Sequence, residues 1–211
     1  LPKTNWLQPK QKLLIPERIA IEMQEHGWIL RNHIIWFKPN HLPSSVQDRL
    51  TCSYESVFFF TKSQRYYFNL NAIRKPAANA TVVRQNYVHN GGKSGQEAGS
   101  RPRKPGEFAN PLGVNPGDVW QINTEPSYEA HIATFPTKLV KQCLKCGCPK
   151  DGLVLDPFAG SGTTLYVARK MALHYLGIEL KPEYVEMAKA RLAKIPARLD
   201  SFMQPMEVCI K

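Results

Sequence analysis

Short apolar runs alternate along the chain with polar breaks marked by proline or glycine, and the spacing within each run separates helices from strands. In residues 12–26, KLLIPERIAIEMQEH, Ile15, Ile19 and Met23 recur at i, i+4 spacing and Pro16 suits an early helical position. That predicts a helix, ended by Gly27. WILRNHIIWF (28–37) and YESVFFFTKS (54–63) are β-branched and aromatic, are bounded by Pro39, Asn40, Pro43 and Ser63, and read as strands. The polar stretch KPNHLPSSVQDR (38–49) between them is a loop. After Asp118, VWQI is a short ordered run and HIATFPTKLVKQCLK is a turn leading into a helix. GLVLDPF (152–158) then reads as a strand, GTTLYVARKMA (162–172) as a helix and HYLGIEL (174–180) as a strand. Residues 182–195, PEYVEMAKARLAKI, form a helix opened by Pro182, with Val185, Ala188, Leu192 and Ile195 on one face. Strands alternating with helices define an α/β fold, with no internal repeat.

The pattern lapses between Lys75 and Gly117. Aliphatic residues become scarce, Gly, Pro, Asn and Arg accumulate, and Lys75, Arg84, Lys93, Arg101, Arg103 and Lys104 face only Glu97 and Glu107. A basic segment this long inside a compact domain is either functional or disordered. It divides the chain into 1–74, an insertion at 75–117, and 118–211. GGKS within it resembles a phosphate loop, but Tyr87 stands where that motif needs its first glycine. The 211 residues carry a formal net charge of +11, and such a field favours polyanions, nucleic acid foremost. No run approaches the ~18 apolar residues of a membrane span and no signal peptide opens the chain, so a soluble cytoplasmic protein is expected. Five cysteines argue against a disulfide framework. Cys143, Cys146 and Cys148, with His131 as a conceivable fourth ligand, raise the question of zinc. Without a second Cys or His pair, reduced thiols and no metal are the expectation.

The chemistry concentrates in LDPFAGSGTT (155–164). Strand, glycine turn, helix, strand and then an acid make half of a dinucleotide-type fold. Gly160 and Gly162 allow the backbone to approach a ligand where a Cβ would collide. Glu179 follows Gly160 by 19 residues, close to the ~20 expected of an acid that accepts hydrogen bonds from ribose hydroxyls. Asp156 adds a second acceptor at the end of the first strand. No third glycine completes a nicotinamide fingerprint, and no lysine follows Gly162. An acidic rim disfavours a pyrophosphate and suits a ligand with a positive centre and a free ribose. S-adenosylmethionine has both; a merely structural turn is the alternative.

DPFAGSGTT followed by GIEL resembles the cofactor motif of DNA methyltransferases that act on exocyclic amino groups. IPERIAIEMQEHGWILRNHIIWFKPN, PSSVQDR, YESVFFFTKSQRYYFN and HIATFPTKLV agree in order with the beta class of that family. The resemblance covers nearly the whole chain outside 75–117. It implies an α/β, Rossmann-like S-adenosylmethionine-dependent methyltransferase sheet, circularly permuted so that the cofactor half comes last, with 75–117 as a target-recognition insertion. It further implies that Asp156, Phe158, Gly160, Ser161, Gly162 and Thr163 wrap the cofactor and Glu179 holds its ribose. His131, Ala133, Thr134, Phe135 and Pro136 would line the methionine side. Taken singly, His131, Phe135 and Phe158 also suit ordinary packing.

Enzymes of this family work with an Asp/Asn/Ser-Pro-Pro-aromatic tetrapeptide, whose polar side chain and proline carbonyl accept hydrogen bonds from the target amine while the aromatic stacks on the flipped base. None of the 17 prolines here is adjacent to another, so the tetrapeptide is absent. The expectation is an upstream segment of the same protein, or less readily a partner chain, whose strand pairs with GLVLD; alone, that apolar strand would be an exposed edge. The expected partner is double-stranded DNA, with a homodimer as a further possibility. Arg84, Lys93, Arg101, Arg103 and Lys104 are candidates for phosphate contacts, or else part of a solvated loop. Asn40, Ser44, Ser45 and Arg49 are candidates to hold the backbone of the flipped nucleotide, or else to cap and turn their loop. The expected activity is site-specific methylation of adenine N6 or cytosine N4. The alternatives are a non-catalytic or split-enzyme DNA-binding module and an RNA methyltransferase.

Overall fold

A computed structural model of the chain describes residues 8–76, 110–125 and 135–196. These fall into two compact units, one within Leu1–Tyr66 and Asp118–Asn123, the other within Tyr67–Gly117 and Thr124–Lys211.

The first unit is built on helix α1 (Ile15–Glu25) and three strands, β1 (Ile29–Phe37), β2 (Tyr54–Thr61) and β3 (Val119–Gln121), in the order β2-β1-β3. β1 and β2 are antiparallel from Ile29 opposite Thr61 to Phe37 opposite Tyr54, with an irregularity between Leu30 and Asn32. β2 ends two residues before the predicted boundary, where the Thr61 hydroxyl donates to the Ser63 carbonyl and turns the chain. β3 runs parallel to the carboxyl end of β1 and sets Trp36 beside Trp120. Both rings are buried, and the Trp36 indole donates to the Ile122 carbonyl at 2.8 Å, so the pairing of the largest apolar side chains is also satisfied in hydrogen bonds. α1 has Pro16 in its first turn as predicted, but begins at Ile15, three residues after the predicted start. Its Ile15, Ile19 and Met23 face is not buried among the described residues: Ile15 and Ile19, like Ile21, remain at least half exposed and Met23 is half-buried, while Ala20 is the one buried residue of the helix.

The second unit opens with a 3-10 turn at Leu70–Ile73 that the apolar pattern does not predict. Four residues are too few to show a period. The Asn69 side chain makes the turn by accepting from the Ala72 N–H, and the Asn69 N–H donates to the Cys146 carbonyl at the far end of helix α2 (Thr137–Gly147). Beyond it, Lys75 and Val114 pair in an isolated antiparallel bridge, and Arg74 donates to the Gly113 carbonyl at 3.0 Å.

Strands β4 (Leu153–Asp156) and β5 (His174–Gly177) are parallel and in register, joined by helix α3 (Thr163–Lys170) and followed by helix α4 (Pro182–Ala193). This is the strand-turn-helix-strand-helix order read from the sequence. Leu165, Val167 and Ala168 of α3 and Val185, Ala188 and Leu192 of α4 are buried, the latter three being the face that the i, i+3, i+4 spacing defined. Ala159, Leu165 and Leu192 pack as one cluster, with Tyr175 of β5 against it. The opposite face of β4 is bare: Val154 is buried, but Leu153 and Leu155, which alternate with it, are 63% and 56% exposed. Among the described residues β4 pairs with β5 alone.

Candidate functional site

The carboxyl ends of β4 and β5 form one hydrogen-bonded rim. Past Asp156 the two chains stay paired, Ile178 N–H to the Asp156 carbonyl at 2.9 Å and Ala159 N–H to the Ile178 carbonyl at 2.9 Å. Asp156 stops its strand chemically, because its side-chain oxygen accepts from the Phe158 N–H at 3.1 Å and bends the backbone. A tight turn follows, closed by the Gly162 N–H on the Ala159 carbonyl at 2.8 Å.

The two glycines of this turn do different work. Both have left-handed backbones, Gly160 at φ +53° and Gly162 at φ +77°, which a side chain would strain. A Cβ on Gly162 would lie 2.8 Å from the Ala188 Cβ of α4, so this glycine lets the turn dock on the helix. A Cβ on Gly160 would meet nothing within 4 Å; that side of the turn is open.

Glu179 joins the turn to the end of β5. One carboxylate oxygen accepts from the Gly160 N–H at 2.8 Å and the other from the Lys181 N–H at 3.0 Å. The Lys181 hydrogen bond, with that from Gly160, holds the Glu179 carboxyl below the usual carboxylate range, burial opposing them. It is therefore an anion at neutral pH, each oxygen retaining acceptor capacity. Ser161 and Thr163 are buried, and the Thr163 hydroxyl accepts from Arg191 at 2.9 Å. Phe158 and Leu180, each one or two residues past an acid of the rim, are 88% and 80% exposed. Two large apolar side chains thus flank two carboxylates; Leu180 escapes sequence reasoning because a lone leucine after a strand carries no signal.

Asp156, Phe158, Gly160, Ser161, Gly162, Thr163 and Glu179 are accordingly gathered at one rim. Phe135 and Pro136 lie at the start of α2, Phe135 exposed and Pro136 fully buried. His131, Ala133 and Thr134 lie outside the described residues, as do Arg84, Lys93, Arg101, Arg103 and Lys104. Sequence reasoning missed a clasp: Glu125 accepts from both the N–H and the hydroxyl of Thr137, at 3.0 and 2.9 Å, and so caps α2.

In the first unit, the 38–53 loop closes with the Lys38 N–H on the Ser53 carbonyl and carries Asn40, Ser44, Ser45 and Arg49, all exposed. The Ser44 hydroxyl accepts from the Val46 N–H at 3.3 Å. Lys10 pairs with Asp48 at 2.6 Å and Lys38 with Glu55. Among the described residues no group of three His, Cys, Asp or Glu side chains could hold a metal ion. Burial pushes the Cys143 thiol up to about 12, and it raises buried Cys146 and half-buried Cys148 as well, which keeps all three as thiols rather than thiolates.

A parallel β-α-β unit with an open glycine turn and an acid at the next strand's end is an arrangement that α/β folds use to hold nucleotides. The chain belongs to the DNA methylase family, whose model matches residues 7–190. It is 39% identical over 186 residues to the type II methyltransferase M.Cfr9I of Citrobacter freundii, a match covering 88% of this chain and 52% of that protein. It is 36% identical over 193 residues to M.SmaI of Serratia marcescens, covering 92% and 56%. The fold matches PvuII DNA methyltransferase (cytosine-N4-specific) with a TM-score of 0.60 at 23% identity, over 90% of this chain and 58% of that one. It also matches the M1.HpyAVI–SAM complex with a TM-score of 0.56 at 22% identity, over 86% and 70%. The chain spans about half the length of the curated relatives it matches.

Proposed function

We propose that this chain carries the cofactor-binding and DNA-facing parts of a site-specific methyltransferase that modifies an exocyclic amino group, adenine N6 or cytosine N4, in double-stranded DNA. The observation that carries the reading is the rim at Gly160 and Glu179. S-adenosylmethionine suits what is there: an open backbone face at Gly160, and two carboxylates for a cationic ligand with two ribose hydroxyls. When bound, that cofactor supplies an electrophilic methyl group on a sulfonium. Glu179 keeps acceptor capacity for the ribose while its hydrogen bonds to Gly160 and Lys181 fix its position. Asp156 adds negative potential, and the exposed Phe158 and Leu180 offer apolar surface to a base. Ser161, Gly162 and Thr163 shape the turn, and His131, Ala133, Thr134, Phe135 and Pro136 line the methionine side.

The finer architecture follows the same reading. Residues 1–74 serve the substrate side, 75–117 form a basic target-recognition insertion, and 118–211 bind the cofactor, the circularly permuted order. The Lys75–Val114 bridge supports the insertion, because it holds the two ends of that segment together. The bare Leu153 and Leu155 face and the exposed isoleucines of α1 support further polypeptide over them, since parallel strands are normally covered on both faces. The other edge of β4, which among the described residues pairs with β5 alone, supports a strand beside it bearing the Asp/Asn/Ser-Pro-Pro-aromatic tetrapeptide. Arg84, Lys93, Arg101, Arg103 and Lys104 hold phosphates, and Asn40, Ser44, Ser45 and Arg49 hold the extruded nucleotide. The relatives' designation as type II methyltransferases supports a place in a restriction-modification pair. No helix of the described residues is long and apolar enough to cross a membrane, which accords with a cytoplasmic site of action, and a homodimer accords with the exposed α1 face. The test is transfer of a tritiated methyl group from S-adenosylmethionine to unmodified DNA by the whole protein, with nucleoside analysis. Label in N6-methyladenine or N4-methylcytosine is expected; label in neither base removes the reading.

A further inference from the structure

α4 meets the glycine turn at three consecutive points of one face. Ala188 abuts Gly162, so closely that a Cβ on the glycine would lie 3.3 Å from the Ala188 Cα as well as 2.8 Å from its Cβ. Leu192 packs with Ala159 at the other end of the turn. Between them, Arg191 donates from Nη1 to the Thr163 hydroxyl at 2.9 Å, across 28 residues of sequence, and its guanidinium carbon stands 4.8 Å from the centre of the Tyr166 ring. Tyr166 is itself tied to the turn, its N–H donating to the Gly162 carbonyl at 2.9 Å. The planar guanidinium therefore has two contacts, a hydroxyl and a ring within cation–π distance, both from the first turn of α3, where i, i+3 positions share a face.

We infer that Arg191 is a positioning residue for the cofactor turn. It acts through Thr163 and Tyr166 to hold the Gly160–Thr163 backbone in its ligand-ready, left-handed course. The turn needs such a hold: two glycines two apart are costly to order, and among the described residues the Glu179 carboxylate is the one side chain that accepts from the Gly160 N–H. A hydrogen bond from a charged donor to the hydroxyl of buried Thr163 is strong enough to set that geometry. By this account the Thr163 hydroxyl serves first as an acceptor for Arg191.

The inference rests on S-adenosylmethionine binding at this turn, so the experiment separates the two. Arg191→Met, Arg191→Lys, Thr163→Val, Thr163→Ser and the Arg191→Met/Thr163→Val double variant are compared in the chain. S-adenosylmethionine affinity is read by calorimetry, and amide hydrogen exchange over residues 158–166 is read without ligand. Arg169→Met is the structural control, because Arg169 ties the same two helices by donating to the Ile195 carbonyl. Arg191→Met and Thr163→Val should each weaken binding about tenfold and speed exchange in 158–166, the double variant being no worse than either alone. Thr163→Ser, which keeps the acceptor, should recover most of the affinity that Thr163→Val loses, and Arg191→Lys should fall between Arg191→Met and the unaltered chain. Arg169→Met should lower stability without changing affinity. If the unaltered chain binds and Arg191→Met binds equally well, or the two losses add, the inference is wrong. If the unaltered chain does not bind S-adenosylmethionine, the cofactor reading fails; accelerated exchange confined to 158–166 in Arg191→Met would still uphold the positioning role, and unchanged exchange would overturn it.

Discussion

Gly160 and Gly162 are two residues apart, share a left-handed backbone, and should respond oppositely to one substitution. Alanine in that conformation costs about 1–2 kcal/mol at either position. At Gly162 the new methyl would also lie 2.8 Å from the Ala188 Cβ and 3.3 Å from its Cα, atoms fixed on a helix and unable to rotate away. Overpacking of that kind adds about 1–3 kcal/mol, so Gly162→Ala should lose about 2–5 kcal/mol of stability. At Gly160 nothing lies within 4 Å of the new methyl, and the stability loss should stop at the backbone term. The methyl there instead occupies the open side of the turn that the account gives to the cofactor. Urea denaturation of both variants measures the first quantity and calorimetric titration with S-adenosylmethionine the second. Gly160→Ala should show the smaller loss of stability and the larger loss of affinity. Equal destabilisation would refute the docking of α4 on Gly162, and undiminished affinity of Gly160→Ala would refute the use of its open face.

Glu179→Ala should weaken S-adenosylmethionine binding by about 1–3 kcal/mol through the lost hydrogen bonds to a charged group, as read by calorimetry. Because the Lys181 and Gly160 N–H groups lower the folded-state pKa of Glu179, its contribution to stability is complete above its ordinary value of 4.5. That contribution disappears as pH falls through the lowered value, so Glu179→Gln should flatten this part of an acid-denaturation profile; an unchanged profile would show that the carboxylate is not held as described. Among the described cysteines, exposed Cys52 should react with iodoacetamide at pH 8 while Cys143, its thiol pushed up to about 12, stays unmodified until the chain unfolds, which peptide mass mapping can check. Trp36→Phe leaves the buried Ile122 carbonyl without its indole donor and should cost about 1–3 kcal/mol in a denaturant titration.

The elements that sequence reasoning recovered are those whose cause is local and repeated. α4 was legible in Pro182 and the Val185, Ala188, Leu192 spacing, and the β4-turn-α3-β5 unit in its apolar runs and its two glycines. Strand ends were less so, because they depend on single side chains: β4 stops at Asp156 and not at Phe158 because the Asp156 carboxylate caps the bend. The 3-10 turn depends in the same way on Asn69. Glu179 could be placed near the turn by counting, but its two backbone hydrogen bonds could not, since they follow from how β5 pairs with β4. Arg191 with Thr163, and Glu125 with Thr137, join positions 28 and 12 residues apart, and nothing in the spacing of either pair announces a contact. Leu153 and Leu155 carried the opposite lesson. Their alternation with Val154 gave the strand, and only the fold revealed which face it leaves bare.

The central claim is that a methyl donor binds against the Gly160 turn with its ribose at Glu179. Titration of the isotopically labelled chain with S-adenosylmethionine, followed by backbone amide resonances, tests it most directly. Gly160, Ser161, Leu180 and Lys181 should show the largest saturable shifts. Saturable binding that leaves residues 156–163 and 178–181 unmoved would contradict the account.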